Sequence, residues 1–350
     1  MNNSFAFPSP VGGVALDGDL GPSIGFAILY ASLLPIFFIR FANKQSRTIL
    51  GLNAVLTTIE RVIVFSLRAK QSQTPAQQSS KTLATYMQVT IALAYIAVAQ
   101  DTVSLLRCLY VNSTKGPTSH YADGAESPVG TTSSSQIPLS PSRSNRSSPV
   151  DRWEVQFDQP RKRAFYRRWT TILKLAFFGA TISGIIGNIH YKGGMSNAGT
   201  ANEVMISRYV SSSVSLVLLI LVAILVIGVR RLPRVRSVHV AFILLILTCN
   251  ASSAIFRLAF MYHRTTSLTS TAPGSGNTLS EKTTFYVFHM FSDWLACFMF
   301  LVPNVREIFN TDMWGDWRSK DPPPESESLR KRREAFRRDG EVVREMDLYA

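Results

Sequence analysis

Glu60, Arg61, Arg257, His289 and Asp293 each interrupt a run of otherwise apolar sequence. Charged groups in such runs are costly, and where they occur they pair, line a water-filled path or contact a ligand. His289 and Asp293 are four residues apart, so on a helix they share one face, with Phe285 and Tyr286 beside it. Counted from the same ends of their runs at ~1.5 Å per residue, all five fall within roughly 8–15 Å of one surface. Two readings fit this common depth. Two acids and two arginines can neutralise one another and fix helix register. Alternatively, Glu60, Arg61, Arg257, Tyr286, His289 and Asp293 line a polar pocket that contacts a ligand or an ion. A second group, Asp101 and Arg107, lies towards the other end of the third run. There Asp101 can pair with a cation as a conformational latch or as a static salt bridge, while Arg107 is expected to snorkel to the headgroups. Lys174, near the same end of the fourth run, is also expected to snorkel.

Catalysis has little to work with. A metal-dependent hydrolase needs several His and an acid together, and a covalent one needs a nucleophile beside a base. His289 alone sits among the ionisable residues of this layer; His190 and His263 fall at run ends on one side, His239 at an end on the other, and His120 in a polar loop. No enzyme and no cofactor is expected. Cys108, Cys249 and Cys297 lie within or at the ends of runs, with neither disulfide nor metal spacing.

The elements that must position these groups are seven apolar stretches, at residues 22–41, 48–67, 83–109, 169–190, 210–229, 238–262 and 284–300. About twenty residues at ~1.5 Å each cross a hydrocarbon layer of ~30 Å. The fifth, SSSVSLVLLILVAILVIGV, carries no charge and no polar stripe before Arg230-Arg231. The fold class expected is therefore all-α, a seven-transmembrane-helix bundle over residues 22–303. Pro35 should kink the first span. Ala180-x-x-x-Gly184 and Ser183-x-x-x-Gly187 should let the fourth approach its neighbours closely and so pack inside the bundle. Asn53 and Asn250 are expected to bond between helices. The fifth should face lipid over much of its circumference.

A net charge of +14 would suggest nucleic acid in a soluble chain. Here the excess sits in connections, where Lys and Arg set topology and meet anionic headgroups, so no nucleic-acid partner is expected. Arg40, Lys44 and Arg47, the run from Arg161 to Arg168, and Arg230, Arg231, Arg234 and Arg236 all fall on one side. The positive-inside rule makes that side cytoplasmic, with a 1–21 tail outside and a charged tail, 304–350, inside. The second connection, with Arg68, Lys70 and Lys81, is the one against. The plasma membrane is the expected location. Residues 112–159 are rich in Ser, Thr, Pro and Gly, a composition that predicts a disordered cytoplasmic loop. Ser127, Ser140 and Ser148 each precede proline there and fit proline-directed phosphorylation, which would reverse the local charge; an unregulated linker fits equally. Trp314 and Trp317 read as interfacial anchors. After Pro322-Pro323-Pro324, residues 325–346 could form a solvated charged helix.

Phe285-Tyr286-Val287-Phe288-His289, then Pro303-Asn304-Val305-Arg306-Glu307-Ile308-Phe309 and Gly315-Asp316-Trp317-Arg318, resemble uncharacterised fungal seven-span membrane proteins. Glu60-Arg61-Val62-Ile63-Val64-Phe65-Ser66-Leu67-Arg68 fits the same resemblance. These are similar in layout to fungal G-protein-coupled-receptor-like proteins and to the fungal lipid-translocating exporter family. The chain departs from rhodopsin-like receptors: Leu106-Arg107-Cys108-Leu109-Tyr110 lacks the acid-arginine-aromatic triplet, and Val302-Pro303-Asn304 is not Asn-Pro-x-x-Tyr. The resemblance implies a layout and assigns no residue a role. Three functions are therefore expected of a multi-pass protein in a lipid bilayer. The first is a receptor-like or sensor-like role with an outward-facing polar pocket for a small-molecule or lipid ligand and a cytoplasmic signalling protein as partner. The second is a transporter or lipid-translocating role, and the third a structural or adaptor role.

Overall fold

Long apolar runs without internal glycine or proline clusters fold as helices because a bilayer leaves backbone groups no other partner. The computed structural model describes residues 5–116, 158–232 and 234–318. Residues Met1–Trp317 make one unit and Arg318–Ala350 a second; the bundle is the first. Among the described residues its rods are α1 (Leu20–Ala31) continued by α2 (Leu33–Ala42), α3 (Leu52–Ser72), α5 (Lys81–Thr114), α6 (Pro160–Ile189), α8 (Ala198–Val229) and α9 (Ser237–Phe260). The last rod joins α10 (Leu279–Thr284), a π-helical stretch Phe285–Phe291 and α11 (Ser292–Leu301). Short helices α4 (Pro75–Gln78), α7 (Tyr191–Gly194) and α12 (Val305–Ile308) sit in the connections. Among the described residues the strand content is a two-residue antiparallel pairing of β1 (Phe7–Pro8) with β2 (Arg264–Thr265).

Among the described residues, six helices are long and apolar enough to cross a membrane: Asp17–Ala42, Lys81–Thr114, Pro160–Ile189, Ala198–Val229, Ser237–Phe260 and Leu279–Leu301. The chain is a multi-pass integral membrane protein. The second expected span differs. It is α3, shifted towards the C-terminus from 48–67, and Glu60, Arg61, Arg68 and Lys70 keep it from the apolarity of the others. Several rods also outrun their apolar cores. α8 starts well before residue 210 because Asn197 caps it, its side chain accepting from Gly199 N at 2.8 Å, and the mixed residues 198–209, with Asn202, Glu203 and Arg208 among them, continue the helix. α5 runs through Asn112 to Thr114, so the expected loop begins later than residue 112. The rest of that loop, with Ser127, Ser140 and Ser148, and the charged helix expected over 325–346 lie outside the described residues.

The first rod breaks at Ser32, three residues before Pro35, whose missing N–H leaves the carbonyl of Ala31 without its helical donor. α5 is the most buried of the six apolar helices and occupies the centre. α6 lies against α8 through its small residues. A Cβ on Gly184 would come within 2.7 Å of Ser211 Oγ, and one on Gly187 within 2.7 Å of Ser207 Cβ. The other side of α6 is exposed at Ile172, Leu175, Phe178, Ile182 and Ile186, so this helix is peripheral, packed on one face only. α8 likewise buries Leu219, Val222 and Val226 and exposes Val217, Ile220, Ile224 and Ile227.

Candidate functional site

Of the expected 1–21 tail, the described residues, from 5 onward, fold into the bundle. Residues 7–15 are buried across one mouth, where α3 ends and α5 and α8 begin. Their backbone is held by side chains from several rods. Gln88 of α5 clamps Val11, its Oε1 accepting from Val11 N at 2.9 Å and its Nε2 donating to Val11 O at 3.1 Å. Arg68 of α3 donates to Gly12 O at 3.0 Å and Gly13 O at 3.3 Å. Tyr191 donates to Pro8 O at 2.8 Å. Asn277 Oδ1 accepts from Val14 N at 2.9 Å, and Gln71 Oε1 from Ala15 N at 3.2 Å. Gly12 and Gly13 have φ of +77° and +59°, and a Cβ on Gly12 would sit 2.5 Å from Phe285 Cζ. Only glycine makes this turn without strain and clash. The segment ends at Asp19, whose carboxylate accepts from Lys282 Nζ and, at 3.1 Å, from the Tyr286 hydroxyl, with Arg68 3.9 Å away.

Beneath this plug lies the layer that the sequence singles out. Arg61 Nε donates to Asp293 Oδ2 at 2.7 Å, and both side chains are fully buried. Tyr30 donates to the same oxygen at 3.1 Å. Glu60 stands at the edge, 27% exposed, accepting from Arg61 at 3.4 Å and from Tyr86 at 3.4 Å. His289 is enclosed by Tyr95, Phe256 and Phe285, at ring-centroid distances of 6.4, 5.9 and 5.7 Å. Tyr286 faces Asp19 and stacks on Phe26, 5.4 Å between centroids, so it belongs to the plug's anchor rather than to the layer below. Arg257 meets neither Asp293 nor Glu60. Its Nε reaches Ser212 Oγ at 3.5 Å, and no carboxylate pairs with it among the described residues. Arg61, nearer Asp293, takes that role.

The layer is oversupplied with donors. Arg61 Nη2, Arg68 Nε, Arg208 Nε, Arg257 Nη1 and the Tyr95 hydroxyl are buried without hydrogen-bond partners, as are both ring nitrogens of His289. Against them, among the described residues, stand one unmatched carboxylate oxygen, Asp293 Oδ1, and the amide oxygens of Asn188 and Asn250. Arg208 is a residue that sequence reasoning missed. It precedes the apolar core of α8 and looks like a connection residue, yet it is buried, lies over the Tyr191 ring at 5.6 Å and reaches Gln88 Oε1 at 3.3 Å. Arg68 was likewise read as a connection charge. The π-helical stretch spans Tyr286 and His289; such stretches cluster at functional sites.

At the opposite face, Asp101 and Arg107 do not meet. Asp101 accepts from Asn53 Nδ2 at 2.9 Å and Ala54 N at 3.1 Å, so a carboxylate from α5 caps the start of α3. Asn53 thus bonds between helices as expected, whereas Asn250 Nδ2 turns to Ile246 O of its own helix. Arg107 is buried rather than snorkelling and donates to Asp316 Oδ2 at 2.9 Å. Arg167 grips both oxygens of Asp316, at 2.8 and 2.7 Å. Burial pushes the Asp316 carboxyl up, but Arg167 and Arg107 outweigh it and hold the group below the usual carboxylate range. This clamp ties the chain after the last rod to α5 and α6. Trp314 and Trp317 flank it, exposed as interfacial anchors would be. Among the described residues, no cluster of three or more His, Cys, Asp and Glu side chains could hold a metal ion. Comparison with protein-family models, curated proteins and solved structures finds no match.

Proposed function

We propose that this chain is a seven-crossing, receptor-like or sensor-like membrane protein whose N-terminal segment closes the outer mouth over a buried polar chamber. The observation that carries the reading is the plug itself: residues 7–15 lie over unmatched donors, their backbone held by polar side chains of α3, α5 and α7 while Phe7, Val11 and Val14 pack into apolar neighbours. Displacing the plug would release Gln88, Arg68 and Tyr191 together, on α5, α3 and α7, and so pass a local event to several elements.

The seventh crossing is α3. Its hydropathy is low because its polar residues face inwards. Leu52, Leu56, Ile59 and Ile63, spaced at helical intervals, are exposed, while Arg61, Arg68 and Gln71 are buried. In water that pattern is inside out, and in lipid it is the stable one. Seven crossings with the Arg- and Lys-rich connections in the cytoplasm put the plug outside, in keeping with a plasma-membrane sensor.

A carrier is the second reading, favoured by closure at both faces: the plug at one and the Arg107–Asp316–Arg167 clamp at the other enclose the polar centre. Phe7 and Thr265 are paired across β1 and β2, so Phe7→Cys with Thr265→Cys locks the plug by a disulfide. Proximity labelling from the C-terminus should enrich cytoplasmic signalling proteins such as heterotrimeric G proteins, and the locked variant should change that set reversibly with reductant. No signalling partner, together with altered lipid or drug efflux on deletion, would replace the receptor reading with the carrier.

A further inference from the structure

The outer half of the bundle buries five cations, Arg61, Arg68, Arg208, Arg257 and Lys282. Three carboxylates meet them: Asp293 and Glu60 take Arg61, and Asp19 takes Lys282 and lies near Arg68. Arg208 and Arg257 have no carboxylate partner among the described residues. A guanidinium does not escape by losing its proton, as a buried lysine can. An uncompensated buried charge is among the costliest features a fold can carry. The two sit on either side of Ser212, which lies one turn from Arg208 on α8 and 3.5 Å from Arg257 Nε, and the Tyr95 and His289 rings face each other edge-on at 6.4 Å. The groups left unmatched in this layer include Arg61 Nη2, Arg257 Nη1, Arg208 Nε, the Tyr95 hydroxyl, the His289 ring and Asp293 Oδ1. Apart from Asp293 Oδ1 and the acceptor side of the hydroxyl and of one ring nitrogen, those groups are donors. The natural complement is a ligand that only accepts and carries negative charge.

We propose that Arg257 and Arg208, with the Tyr95 hydroxyl and the His289 ring, form a binding site for a carboxylate anion beneath residues 7–15. A carboxylate presents two oxygens in one plane, the shape a guanidinium fork engages best. Ser212, one helical turn from Arg208 and 3.5 Å from Arg257 Nε, holds that guanidinium in place. The site lies where Gln88 and Arg208 both touch the plug, so a ligand that draws Arg208 inwards loosens its 3.5 Å contact with Ser9 O. The inference rests on the chamber proposed above and names the chemistry of its ligand.

The test uses the full chain purified in detergent, with its melting midpoint followed as formate, acetate or octanoate replaces chloride at constant ionic strength. A ligand bound by the folded state alone raises the midpoint saturably. The site predicts such a rise. Formate and acetate responses assign a water-borne acid; a response to octanoate alone assigns a lipid-chain carboxylate. Arg257→Met should melt higher than the parent in chloride, having lost an uncompensated charge, and should lose the carboxylate response. Tyr95→Phe removes a single unmatched hydroxyl, so its fold survives, and it should weaken the apparent affinity several-fold. A flat midpoint with all three acids overturns the proposal, as does an unchanged response in both variants. Binding without any change in signalling partners would leave the site standing and remove the receptor reading instead.

Discussion

Among the ionisable residues of the polar layer, the Arg61–Asp293 pair carries the largest energetic stake. Both side chains are fully buried and 2.7 Å apart, and Tyr30 adds a second donor to the acid. Removing one member of such a pair strands the other in a low dielectric and costs about 3–5 kcal/mol, whereas removing both costs much less. Arg61→Leu and Asp293→Asn should each lower the melting midpoint of the purified protein sharply, and Arg61→Leu with Asp293→Asn should recover most of the loss. Additive single effects would mean the two groups contribute independently. Depth along each apolar run was legible in the sequence, and Glu60, Arg61 and Asp293 do meet, while Tyr286 turns to Asp19 and Arg257 to Ser212. Which arginine meets Asp293 was not legible, because Arg61 and Arg257 count to similar depths and only the rotation of α3 and α9 about their own axes separates them. Arg208 escaped for a different reason: it lies in the mixed first turns of α8, where a window scaled to membrane thickness sees only a connection.

At the scale of elements, the rods follow from apolar length and the segment that closes them does not. Residues 5–16 are apolar but broken by Pro8, Pro10, Gly12 and Gly13, a pattern with neither helical nor strand period. Their fold comes from partners on α3, α5, α7 and the 266–278 loop, none of which is adjacent in sequence. The clamp at the opposite face shows the same dependence. Asp316 binds Arg107 and Arg167 from helices far apart in the chain. Because these arginines depress the folded-state value of Asp316, its contribution is fully present above the ordinary carboxylate range and is lost as pH falls through the lower folded value. With an unfolded value near ~3.9, the clamp holds through neutral and mildly acid pH and fails only below about pH 4. Asp316→Asn should therefore destabilise by roughly 2 kcal/mol at pH 7, the scale of charge-assisted hydrogen bonds. The difference between parent and variant melting midpoints should stay level from pH 8 to about pH 5 and shrink in stronger acid. A difference that grows on acidification would contradict the assignment.

For the whole molecule, the decisive feature is that a helix bearing Glu60, Arg61, Arg68 and Lys70 sits in the bundle with its apolar side outwards. If α3 crosses the membrane, the chain makes seven crossings, its ends lie on opposite sides, and the plug of residues 7–15 seals the outer mouth above Arg208, Arg257 and His289. If it does not, the six apolar helices leave both ends on one side and the chamber loses its outward face. One measurement separates these. An epitope tag before Met1 and another after Ala350 are probed with antibody on intact cells and again after permeabilisation. Seven crossings predict that the first tag is reached on intact cells, or on the lumenal side of sealed vesicles, and the second only once the membrane is opened. Both tags responding alike would contradict the account.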